Sequence, residues 1–199
     1  MYLTTVELEY CLGKATEIAE QFRLEHIGSD DPQRSIDNLA VTCRKRLHID
    51  IKLLKLDIPK HDAAQWGATF LHGDGSADIC IVSDLNYCWE RYVLCKELFH
   101  VLIDKEAYRN MNIEEHLKET TIAFPNDDSK PKPAVQVEVL AEMAAMEFLL
   151  PYECRLKELN GENKGNFLAI AEKYKVPQLL VERYLSLGYM ENLAKFTKK

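Results

Sequence analysis

The sequence has no apolar run near the ~20 residues that a bilayer-spanning helix needs, which excludes a span of that kind. Its opening, MYLTTVELEYCLGK, lacks the basic start and apolar run of a signal peptide, so a soluble, cytoplasmic protein without a membrane partner is expected. Positive charge is in deficit: 25 Lys and Arg stand against 32 Asp and Glu, a net charge of −7. That balance argues against a general nucleic-acid binder, because phosphate contacts need clustered Lys and Arg. The six cysteines (Cys11, Cys43, Cys80, Cys88, Cys95 and Cys154) include no C-x-x-C pair of the zinc-knuckle or redox type. Without a secretion signal, free thiols are expected rather than disulfides. Cys88 and Cys95 are spaced to share one helix face, where they read as small buried hydrophobes. Phosphate loops, dinucleotide fingerprints, nucleophile elbows and internal repeats are all missing.

What is present is an ordinary globular balance, 47% hydrophobic and 29% charged, enough to bury one core. Ala15, Ile18, Ala19 and Phe22 have helical spacing, whereas Val6, Leu8, Tyr10 and Leu12 alternate, so residues 4–26 read as a helix with an unsettled start; Thr4 or Thr5 can cap it. After the break GSDDPQR comes a second helix capped by Ser35, then a strand over Ile49 to Leu56. ATFLHGDGSADICIVS reads as a hairpin turning on Asp74 and Gly75. A helix follows from about Tyr87 to Asp104, with SDLN as its cap. The polar residues 105–133 are expected to be a partly helical, mobile excursion. A helix over about Ala134 to Leu150 is stopped by Pro151, and two short helices then turn at Val176 and Pro177. The order implies an α+β fold with a small antiparallel sheet packed against helices.

The chemistry-bearing stretch is RYVLCKELFHVLID, Arg91 to Asp104. Zinc peptidases carry H-E-x-x-H on a helix: two histidines one turn apart hold the metal and the glutamate polarises its water. Here the five residues are Lys96, Glu97, Leu98, Phe99 and His100, so a lysine stands in the first ligand position. A bare E-x-x-H pair recurs on many ordinary helices. Arg91 suits either a substrate or partner groove or a structural ion pair. His72 is expected on the exposed turn, His116 on a surface helix, and Met143 and Met146 in the core.

Two ordered motifs carry a family resemblance. Arg91, Leu94, Glu97, Leu98 and His100 fit R-x-T-L-A-H-E-L-G-H, the motif helix of the ImmA/IrrE metallopeptidases. EVLAEMAAMEFLLP, Glu138 to Pro151, is similar to the family's second motif, E-x-x-A-N-x-F-A-A-x-L-L-M-P, through Glu138, Ala141, Ala145, Leu149 and Pro151. The likeness extends from about residue 5 to residue 190. It implies a zincin-like peptidase core over residues 1–155 with a C-terminal helical segment over 156–199 packed on it. It also implies His100 and Glu138 as zinc ligands and Glu97 as catalytic residue, if the protein is active. The chain departs from the pattern at Lys96, Phe99 and Glu142.

Lys96 decides the expected function. An ammonium has no lone pair, and its reference pKa of ~10.4 keeps it protonated. His100 and Glu138 alone fall short of the usual three protein ligands of a catalytic zinc, so no cofactor is expected ahead of zinc. Lys96 either points to solvent or supplies the missing positive charge between Glu97 and Glu138. The reading that results is a noncatalytic, pseudoprotease relative of the ImmA/IrrE family. It would bind a protein partner, and the resemblance implies a helix-turn-helix repressor of a phage or mobile element. The alternatives are an active zinc endopeptidase cleaving such a repressor, and a DNA-binding regulator reading through the C-terminal helices.

Overall fold

The computed structural model describes residues 5–26, 31–59, 61, 65–103 and 133–197. The helices are α1 (Thr5–Glu25), α2 (Ile36–Leu47), α3 (Tyr87–Ile103), α4 (Pro133–Leu149), α5 (Tyr152–Asn160), α6 (Phe167–Tyr174), α7 (Gln178–Tyr184) and α8 (Leu187–Thr197). The strands are β1 (Ile51–Leu56), β2 (Gly67–Leu71) and β3 (Ala77–Val82). No described helix is long and apolar enough to cross a membrane. Thr4 and His116 lie outside the described residues, as does the stretch 105–132; Pro133 opens α4, where a missing N–H costs nothing.

The two-residue alternation at the chain start does not survive folding. Leu8, Cys11, Leu12, Ala15, Ile18 and Phe22 make one buried stripe, and Val6 is left exposed. Cys11 fills the seat that the alternating reading had missed, and its thiol donates to the Leu140 carbonyl of α4 at 2.9 Å. Ser35 caps α2 as expected, its hydroxyl accepting from the Asn38 N–H.

The α+β class holds, with one correction to the sheet. Its order is β1-β3-β2: β2 runs antiparallel to the central β3, but β1 runs parallel to it, so the sheet is mixed rather than antiparallel. Alternation marks a half-buried strand without revealing the direction of its neighbour. The β2–β3 hairpin places Gly75 at φ 87, a left-handed position suited to glycine, and Asp74 Oδ1 accepts from the Ser76 N–H and hydroxyl. His72 is exposed as expected, its Nε2 3.0 Å from Asp78.

Helix α3 is the spine. Its sequence is apolar on nearly every side, so it must be covered on nearly every side. The sheet covers one flank, α2 another and α4 a third, while α1 lies along α4 and also touches α2 and α3. Ala141, Ala144 and Ala145 are buried in α4 and let α1 and α3 come close to its backbone. Met143, Met146 and Cys95 are core, Cys88 is half-buried, and all six cysteines are free.

Two buried arginines join the C-terminal helices to this core. Arg155 of α5 pairs with Glu147 of α4 and lies 5.8 and 5.9 Å from the ring centres of Tyr184 and Tyr189. Arg91 of α3 donates through Nε to the carbonyl of Lys175, which ends α6 in a left-handed conformation.

Candidate functional site

Lys96 and His100 are one helical turn apart on α3, so their side chains leave the same face. Glu138, in the second turn of α4, meets them both. Lys96 Nζ lies 2.7 Å from Glu138 Oε2 and 3.1 Å from Glu97 Oε1, and His100 Nε2 lies 3.2 Å from Glu138 Oε1. Glu97 Oε1 and His100 Nε2 are buried and make these close approaches without a directed hydrogen bond. Of the two readings of Lys96, the structure takes the inward one.

The other face of Glu97 is fixed by the sheet. Thr69 of β2 brings its hydroxyl to 2.9 Å from Glu97 Oε2 and 3.2 Å from the Glu97 carbonyl. That approach requires glycine two residues earlier on the same strand face. A Cβ added at Gly67 would stand 2.5 Å from Val93 Cγ1 and 2.9 Å from Glu97 Oε1. Gly67→Ala is therefore expected to cost about 1–3 kcal/mol by overpacking, read as a lower midpoint in denaturant; an unchanged midpoint would show that α3 gives way freely.

The electrostatics are those of a filled cation seat. Burial pulls the Lys96 ammonium down, but the carboxylates of Glu97 and Glu138 outweigh it and leave its pKa raised. Burial pushes Glu138 up, yet His100 and Lys96 outweigh it and hold this carboxyl well below the ordinary range. The pair is half-buried, with Lys96 and Glu138 side chains 18% and 30% exposed, so its charges are only partly screened by water.

The donor chemistry of these residues speaks against a zinc site. One imidazole and one carboxylate converge, and the third converging group is a protonated amine without a lone pair. Among the described residues, no group of three His, Cys, Asp or Glu side chains could hold a metal ion. The residues as they stand do not fit zinc.

A cavity of about 410 Å³ opens beside Lys96, walled by Trp66, Trp89, Tyr92, Glu138 and Glu142. Arg91 is not among its walls, being directed at Lys175 instead. Glu142 Oε1 accepts from Arg183 Nη1 at 3.0 Å and from the Tyr184 hydroxyl at 2.9 Å, tying α4 to α7. Sequence reasoning singled out the α3 and α4 carboxylates but not Thr69 or the three aromatic walls. Thr69 and Trp66 are single residues in or just before a short strand and carry no spacing signal, whereas Trp89 and Tyr92 lie three apart on α3 and in helical step with Lys96, a pattern that could have found them.

Two sequence motifs, the sheet in front of them and the meeting of His100 with Glu138 all point one way. A family model, the IrrE N-terminal-like domain, matches residues 47–186. The chain belongs to this peptidase family. No curated protein matches the chain. The IrrE-like match begins at the last residue of α2 and runs through α7, so it contains Lys96, Glu97, His100, Glu138 and the cavity walls. Helix α1 and most of α2 precede it, and α8 follows it.

Proposed function

We propose that this IrrE-like protein is noncatalytic and acts by holding a protein partner in the cleft beside Lys96. One observation carries the reading: Lys96 Nζ sits 2.7 Å from Glu138 and 3.1 Å from Glu97, so an ammonium supplies the positive charge to which the carboxylates turn. With both carboxylates engaged, Glu97 has no metal-bound water to polarise, and its Oε2 faces Thr69. The partner we expect is a helix-turn-helix repressor of a phage or mobile element, as the family resemblance implies. Reading of DNA by α7 finds less support, because Arg183 is engaged by Glu142 and the exposed neighbours are Gln178, Leu179 and Glu182.

The test is elemental analysis of protein purified without chelator or a metal-affinity tag, paired with partner capture by Glu97→Gln. Far less than one zinc per chain is expected, with capture unchanged. One zinc per chain, together with repressor cleavage that is lost in Glu97→Gln, would instead establish the active zinc endopeptidase.

A further inference from the structure

The cavity beside Lys96 has a composition that goes beyond what holding the lysine requires. Three of its walls are aromatic and are turned across one another. Trp66 and Trp89 meet edge-on, with ring centres 5.0 Å apart and planes 82° apart. Trp89 and Tyr92 meet at 5.8 Å and 77°. Rings in this order form a corner rather than a stack, so different faces and edges line the space between them. The lining also carries Glu138 and Glu142, whose side chains are 30% and 29% exposed.

The charge count favours a cationic guest. The lining has one ammonium, Lys96, against two carboxylates, Glu138 and Glu142, a net of −1. Behind the lining, Glu97 adds one negative charge and Arg183 offsets it, so the balance stays at −1. Lys96 and Glu138 engage each other, so neither holds a site open for a guest of opposite charge; Glu142, whose Oε1 is shared by Arg183 and the Tyr184 hydroxyl, is the lining carboxylate that the lysine does not engage. The volume, about 410 Å³, lies at the small end of the ~300–1,000 Å³ typical of ligand pockets and suits one long side chain rather than a folded ligand.

We propose that this cavity receives the side chain of an arginine carried by the partner polypeptide. A guanidinium can lie flat on an indole face and still present its planar fork to a carboxylate, which an ammonium cannot do equally well. The proposal deepens the noncatalytic reading, and rests on it for the claim that the guest is held rather than cleaved. Specificity would then come from the Trp66–Trp89–Tyr92 corner, with Glu142 selecting charge.

Trp66 and Trp89 are the chain's two tryptophans, so tryptophan emission, excited at the red edge where tyrosine does not absorb, reports on this cavity. The experiment titrates the intact protein with N-acetyl-arginine amide and, in parallel, with the citrulline, norleucine and glutamate analogues. The arginine compound is expected to give a saturating change, with the neutral, equally shaped citrulline compound bound about fivefold more weakly. Trp89→Leu and Glu142→Gln, each checked for an intact melting transition, are expected to weaken arginine binding. Equal binding of citrulline or norleucine would make the cavity an apolar slot and overturn the proposal. Tighter binding of the glutamate analogue would do the same by making Lys96 the recognising group, as would the absence of any saturable change. Bound zinc or repressor cleavage would overturn the noncatalytic reading instead, and leaves the outcome of this titration standing.

Discussion

Lys96→Ala is expected to destabilise the protein by about 3 kcal/mol, the low end of the range for breaking a buried ion pair. For a chain of this size that is a fall of roughly 6–12 °C in melting temperature. The cause is the company that the ammonium leaves behind. Glu97 is buried and Glu138 half-buried, and without Lys96 two carboxylates face each other across α3 and α4. Lys96→Met keeps the aliphatic stem and is expected to lose nearly as much, which separates charge from packing. The pH dependence follows from the directions of the two shifts. The raised Lys96 pKa makes its contribution complete below lysine's ordinary value of about 10.4, and lost only as pH climbs beyond it through the folded-state value. The depressed Glu138 pKa makes its contribution complete above the ordinary glutamate value of about 4.3, and lost as pH falls below it. The contribution of this pair should therefore hold a plateau between roughly pH 5 and pH 10. In Lys96→Ala the deficit should shrink toward pH 5, because protonating one carboxylate relieves the repulsion. Thermal melts across that range test both statements, and an unchanged melting temperature would mean that Lys96 is a solvated surface residue.

Lys96→His is expected to convert the site into a zinc site, from far below one zinc per chain to about one. The change removes the resident cation and places an imidazole one turn before His100, opposite Glu138. That completes the three protein donors of an open zinc centre. Zinc at 100 times its dissociation constant should then stabilise the variant by about 2.7 kcal/mol and leave the wild type unmoved. Elemental analysis and a melt with and without zinc give two independent readings. A variant that folds but takes up no zinc would show that α3 and α4 no longer hold a metal-sized gap. The ammonium would then be a consequence of a closed site rather than its cause.

Much of this was legible in the chain. Lys96, Glu97 and His100 announce themselves by one-turn spacing, and Glu138 by its place at the head of a second apolar helix. Ser35 and the Asp74–Gly75 turn follow from local hydrogen bonding and a left-handed backbone, which depend on a few neighbouring residues only. The rest depends on contacts between distant segments. The parallel pairing of β1 with β3 leaves no mark on the alternation of either strand. The early turns of α1 look strand-like until Cys11 is counted as apolar, and that role becomes evident only where its thiol reaches Leu140. Thr69 and Trp66 are lone residues in or beside a short strand whose significance is wholly positional, whereas Trp89 and Tyr92 share the α3 spacing that leads to Lys96. Arg91 could serve a groove or a structural bond from sequence, and its reach to Lys175 across the fold distinguishes the two.

The contact of α1 along α4 reaches beyond stability. The family match starts at residue 47, yet α4, which carries Glu138, is sheathed on one side by a helix that ends at Glu25. A truncated form cut at the edge of the match would unroof Leu140, Ala144 and Phe148 and loosen the very helix that presents the carboxylate to Lys96. The stretch that matches the family and the stretch that packs as one core are therefore different lengths of chain, and deletion studies of this protein should respect the second.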